Sequence, residues 1–136
     1  MARGPDWAAG AISKLHKEVP TRVSLKDPSL LRQAALIGGT WIEADGKGIA
    51  VTNPSTGAVI GHVPSLGAPE TEAAIEAARL AQPIWAARTA KDRSQVLRRW
   101  YDLMMANQDD LGRILTAEQG KPLAEAKGEI DRKSVV

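Results

Sequence analysis

Cysteine is absent from all 136 residues, which excludes disulfides, thiolate metal sites and a cysteine nucleophile within this chain. The absence fits a reducing compartment, and a cytoplasmic location is the expectation. Phenylalanine is missing too, leaving four Trp and one Tyr as the aromatic complement. Alanine supplies much of the apolar share, so a helix-rich composition comes with few large groups to fill a core. Burial is worth about 25 cal/mol per Å² of apolar area, and small side chains therefore make a weak core. No run of about eighteen apolar residues suggests a membrane span, and there is no internal repeat or low-complexity tract. A strong charge of one sign is also lacking, the formal net charge being +2. Its distribution is uneven: residues 1–33 hold six Lys/Arg against Asp6, Glu18 and Asp27, and the rest of the chain has one more acidic residue than basic. So small an excess, without aromatic interleaving, argues against a nucleic-acid partner.

Three segments divide the chain. Residues 1–24 read as an N-terminal extension with Gly4, Pro5, Gly10 and Pro20, and a short helix around Ala8–Lys17. The extension is basic but lacks the apolar stretch of a secretory signal; mitochondrial-type targeting is the alternative to a plain leader. Residues 25–130 carry the folded part, and 131–136 (DRKSVV) form a tail of different character. Within the folded part, Asp27 and Pro28 are a cap and first position for a short helical turn. Ala35–Ile37 and Thr40–Ile42 around Gly38-Gly39 predict a bent strand or tight hairpin. Gly46-Lys47-Gly48 marks a turn before Ile49–Val51. Asn53–Gly57 is a second turn, and Val59–Val63 a further strand. The first half is thus expected to be a small β-meander.

About four α-helices follow. Pro69 and the acidic Glu70, Glu72 and Glu76 suit a helix start. Ala74, Ala77, Ala78, Ala81 and Trp85 recur on one face at the spacing of a close contact, and Pro83 is expected to end or kink the helix. Thr89 and Asp92 form a capping box for the next helix, whose apolar stripe is Leu97, Trp100, Tyr101 and Met104. Asn107 and Asp110 repeat the start signal for a third, with Leu111, Ile114 and Leu115 facing inward and Gly120 as its left-handed stop. Pro122 opens a fourth, with Leu123, Ala126 and Ile130 on one side.

Residues that carry chemistry elsewhere have structural explanations here. Gly46 and Gly48 begin a dinucleotide fingerprint, but Val51 stands where its third glycine belongs and no long helix follows. His16 and His62 are far apart and lack carboxylates at ligand spacing. Asp109 and Asp110 fall in the first turn of a helix, where Asp110 can cap. Lys121, between Gly120 and Pro122, sits outside any strand–loop–helix phosphate motif and reads as a turn lysine. Met104 and Met105 read as core filler.

Four motifs in order, Leu36–Trp41 (LIGGTW), Thr52–Gly57 (TNPSTG), the Ala-rich helix ending at Trp85 and Glu118–Pro122 (EQGKP), resemble the amino-terminal region of aldehyde dehydrogenases. The resemblance runs from about Leu30 to Ile130. Leu103–Met105, Asp109–Leu111 and Gly120–Ile130 (GKPLAEAKGEI) draw it toward the succinate-semialdehyde dehydrogenase branch. It implies an α/β parent fold, of which this chain is an incomplete part of the Rossmann-like cofactor domain. It implies oxidation of an aldehyde, succinate semialdehyde to succinate, with NAD or NADP as cofactor and a homo-oligomeric parent. In the family a cysteine thiolate attacks the carbonyl, hydride leaves to the nicotinamide, and a glutamate activates water.

None of those catalytic or cofactor-binding elements matches a position in this chain, so no catalytic and no cofactor-binding residue is expected, and the chain alone is expected to be inactive. The resemblance carries over one site: a structural monovalent-cation position, with a backbone oxygen at Thr52 and the carboxylate of Glu118, and a third ligand from outside the matched region. An exposed Glu near a helix end is the plain alternative for Glu118. The DRKSVV tail departs from the apolar continuation the family leads one to expect. A non-catalytic helical interaction module is the alternative function.

Overall fold

The computed structural model describes residues 23–44 and 48–134. The possible leader helix, His16 and the start of the Gly46-Lys47-Gly48 turn lie outside the described residues. The first described element is a 3-10 turn at Pro28–Leu30, capped by the Asp27 carboxylate, which accepts the Ser29 N–H at 2.9 Å. Proline at the first position fits because its missing N–H has no helical partner there in any case.

The β-rich half takes the form of two antiparallel hairpins in separate two-stranded sheets. Strand β1 (Ala34–Ile37) pairs with β2 (Thr40–Glu43), Leu36 opposite Trp41 and Ile37 opposite Thr40. The connection is the two-residue Gly38-Gly39, with φ of 57° and 82°. Two successive positive φ values match the twist of the flanking strands and favour glycine. Strand β3 (Ile49–Thr52) pairs with β4 (Val59–Val63), with a register shift between Val51 and Thr52. Their connection is stapled by Asn53, whose carbonyl accepts the Gly57 N–H at 2.8 Å and whose side chain accepts the Ser55 N–H at 2.9 Å. Gly57 takes φ 73°, the left-handed residue expected at that place.

Helix α1 (Ala68–Ala86) starts with Glu70 reaching back to the Gly67 N–H at 2.9 Å. Pro83 lies inside it rather than ending it. So near the C-terminus proline removes only one ladder bond, and the final turn still closes through Ala87 N–H to the Pro83 carbonyl at 3.0 Å. Of the expected contact stripe only Ala74 and Ala77 are half-buried; Ala78, Ala81 and Trp85 are exposed. The helix packs on β1, where a Cβ on Gly38 would fall 3.7 Å from that of Ala77, and residues 78–86 are all exposed, the Arg88 guanidinium lying 5.8 Å from the centre of the Trp85 ring.

Helix α2 (Ala90–Ala106) has the expected box: Thr89 Oγ1 accepts the Asp92 N–H at 3.2 Å and donates to Asp92 Oδ2 at 2.7 Å. Leu97, Tyr101 and Met104 are half-buried, but Trp100 is 59% exposed. The stripe is narrower than its sequence suggests because, among the described residues, it packs mainly on the last two helices. Those helices, α3 (Gln108–Gln119) and α4 (Leu123–Ser134), pack tightly against each other. Ala126 is fully buried and Ile130 is 9% exposed; they are the apolar core. Leu111, Ile114 and Leu115 are half-buried, and the most enclosed residues of α3 are Asp110 and Gly112. Gly112 is small for a reason: a Cβ there would stand 3.0 Å from Lys127 Cγ and 3.4 Å from Leu123 Cδ1. Gly120, at φ 73°, stops α3, and the Pro122 carbonyl accepts the first α4 bond from Ala126 at 3.0 Å. Helix α4 continues through Asp131–Ser134 without a break.

Candidate functional site

The two carried-over cation ligands lie on segments that the fold brings side by side. Thr52 ends β3 and Glu118 stands in the last turn of α3; both are exposed. Between these segments a Cβ on Gly120 would lie 3.0 Å from Pro54 Cγ. Glu118 also borders a cavity of about 20 Å³ with Val51, Ile60, Leu31, Arg32 and Gln33. The geometry therefore unites the two turns. Among the described residues no group of three or more His, Cys, Asp or Glu could hold a metal.

Asp110 does something different from its expected role. Its carboxylate is 3% exposed and accepts two backbone N–H groups far away in sequence, Lys26 at 3.1 Å and Asp27 at 2.8 Å. It does not cap its own helix. Asn107 does not cap α3 with its side chain either, because it also ends α2: its amide donates to the Leu103 carbonyl at 2.9 Å. Asp109, beside it, pairs with Lys127 at 2.5 Å and with Lys26 at 3.5 Å. The hydrogen bond from Lys127, then the charge of that ammonium, hold the Asp109 carboxyl below its ordinary range, with Lys26 adding to the effect.

Lys121 is engaged by Glu129 in a half-buried ion pair across α4, which agrees with a structural lysine. The N–H of His62 donates to Gln33 Oε1 at 2.8 Å, and its side chain borders an open hollow of about 300 Å³ with Glu43 and Gln33. One imidazole and one carboxylate fall short of a ligand set. The long-range role of Gln33 and Asp110 had no local signal in the sequence. Gly112 had one: a glycine inside an amphipathic helical pattern points to close packing.

All four described helix starts carry negative charge. A pyrophosphate is favoured at a helix start whose N–H groups are free of negative charge. Here α1 opens with Glu70, α2 with Asp92, α3 with Asp109 and Asp110, and α4 with Glu125. Each puts a carboxylate in the first turn, where it would repel a phosphate.

Two antiparallel hairpins followed by four helices, with the β3–β4 turn resting on the α3–α4 turn, define a recognisable portion of a larger α/β fold. Residues 41–135 match the aldehyde dehydrogenase family, and the chain belongs to it. It is 62% identical over 109 residues to glutarate-semialdehyde dehydrogenase of Pseudomonas putida, covering 79% of this chain and 23% of that protein. It is 58% identical over 109 residues, with the same coverage, to the NADP(+) succinate-semialdehyde dehydrogenase GabD of Escherichia coli. The crystal structure of succinate-semialdehyde dehydrogenase from Burkholderia pseudomallei superimposes with a TM-score of 0.77 at 57% identity, over 82% of this chain and 23% of that one. An NADP complex of glyceraldehyde-3-phosphate dehydrogenase from Bacillus halodurans superimposes at 0.71 with 32% identity, over 76% and 22%. The chain thus spans about a quarter of the length of the relatives it matches.

Proposed function

We propose that this chain is the amino-terminal portion of the cofactor domain of an NAD- or NADP-dependent dehydrogenase that oxidises a carboxylate-bearing semialdehyde, succinate semialdehyde first, to its acid. The observation that carries this is the identity of about 60% over 109 residues to two semialdehyde dehydrogenases. The 136 residues alone neither bind cofactor well nor turn over, since they contain no thiol nucleophile and their helix starts disfavour phosphate. The exposed apolar residues of α1 and α2 suit helices that meet a further layer of structure in the assembled enzyme.

The test is a chimera in which residues 25–130 replace the matching segment of the Escherichia coli relative. Aldehyde-dependent NADPH formation with succinate semialdehyde is expected to persist. A chimera that folds and binds NADP yet fails to turn over would overturn the assignment. Formation of NADH or NADPH by the purified 136-residue chain would overturn its proposed inactivity.

Within that reading, the Thr52 carbonyl and the Glu118 carboxylate supply two ligands of a structural monovalent-cation site. Their support is the contact of Gly120 with Pro54 and the cavity shared by Glu118 and Val51. A third ligand comes from outside the matched region. In the chimera, sodium in place of tetramethylammonium should raise the thermal midpoint, and Glu118→Gln should abolish that difference.

A further inference from the structure

The segment ahead of β1 is held in an unusual way. Its local bonds are its own: Leu30 N–H to the Asp27 carbonyl at 3.2 Å, Leu31 N–H to the Pro28 carbonyl at 3.3 Å, and Arg32 N–H to the Leu30 carbonyl at 3.1 Å. Residues 26–29 are exposed, and only Leu30 and Leu31 are half-buried there, so little apolar area ties it to the rest. The Lys26–Asp109 ion pair adds little, because the Lys26 side chain is 80% exposed and screened by water.

What remains are bonds at the two ends. At one end, buried Asp110 on α3 receives the Lys26 and Asp27 N–H groups. At the other, Gln33 Oε1 receives the His62 N–H of β4 at 2.8 Å, and the neighbouring Arg32 guanidinium lies 5.0 Å from the centre of the Trp41 ring on β2. A self-bonded turn fixed only at its ends has few contacts to break between them, so loss of one end should free the whole. We propose that residues 26–33 are a strap, latched to α3 by Asp110 and to β4 by Gln33, that opens as one unit without unfolding the helices. Leu31, Arg32 and Gln33 wall the cavity that Val51, Ile60 and Glu118 close from the other side, so opening removes one wall of it.

Amide hydrogen exchange followed by NMR on the 136-residue chain tests this. The informative amides are those that keep their acceptor. In Asp110→Ala the His62 N–H, still facing Gln33, is expected to exchange about tenfold faster, the scale of one hydrogen bond to a charged group. In Gln33→Ala, a change at an exposed position that tests the coupling even where the Asp110 variant does not fold, Lys26 and Asp27 should speed up similarly. The Ala126 N–H, bonded to the Pro122 carbonyl in the α4 core, should keep its wild-type rate in both. Acceleration confined to the amides that lost their acceptor would overturn the strap as a unit. Equal acceleration at Ala126 would overturn opening without unfolding, and an unprotected Ala126 in the wild-type chain would overturn the docked strap itself.

Discussion

At the scale of single residues, two left-handed glycines differ only in what surrounds them. Gly57 and Gly120 both have φ 73°, but a Cβ on Gly57 meets nothing within 4 Å, whereas one on Gly120 would press on the Pro54 ring at 3.0 Å. Gly57→Ala should therefore cost about 1 kcal/mol from backbone strain alone. Gly120→Ala should cost about 2–3 kcal/mol, adding steric crowding to the same strain. Urea midpoints of the two variants, measured side by side, check the ordering. A second residue-level prediction concerns Asp109. Its folded pKa is depressed below its ordinary 3.8, chiefly by Lys127, so the stabilisation is present above that value and lost as pH falls through the depressed pKa. Lys127→Met keeps the stem that packs on Gly112 and removes the charge. It should be less stable than wild type at about pH 7, and the difference should shrink as the pH falls below 3.8 and the wild-type carboxylate takes up its proton.

At the scale of elements, the helices divide into one packed pair and two that are partly bare. Gly112 and Ala126 let α3 and α4 approach closely, and larger groups there must push the pair apart. Ala126→Leu should destabilise by about 1–3 kcal/mol in chemical denaturation. Ile84 on α1 is 72% exposed, and Ile84→Ser should change stability by no more than about 0.5 kcal/mol despite the loss of a large apolar group. Both substitutions look similar in sequence, since both alter an apolar position inside a helix. Burial of Ala126 against a neighbouring helix and the exposure of Ile84 separate them. The start signals show the same division. Thr89 with Asp92 capped α2 as read, because both partners lie within one turn. Asn107 and Asp110 look alike on paper, yet one serves the end of α2 and the other grips residues 26 and 27.

For the whole molecule, a core of Ala126 and Ile130 beside a buried Asp110 is small. Ile75, Leu80, Leu103 and Trp100 are all more than half exposed. Apolar surface of that kind marks an interaction face and weakens an isolated chain. A low urea midpoint is expected for the purified chain, together with enhanced fluorescence of an apolar dye at neutral pH. The dye signal should fall in a chimera with the rest of a family member if, as proposed above, a further structural layer covers α1 and α2. An unaltered signal in the folded chimera would place the exposed face elsewhere.

The sequence by itself determined the turns, the Asp27 and Thr89 caps and the order of elements. Gly38-Gly39, Asn53–Gly57, Thr89–Asp92 and Gly120 act through bonds and dihedral angles spanning a few residues, so their neighbours in the chain suffice. It also carried the family, through motifs whose order is independent of packing. Only the tertiary structure decided which apolar stripes are covered and whom the polar groups serve. Trp100 and Ala81 depend on a facing surface, Gln33 on a strand 29 residues away, and Asp110 on backbone 83 and 84 positions distant. Burial and long-range hydrogen bonding are properties of pairs of segments, and no single segment's periodicity contains its partner.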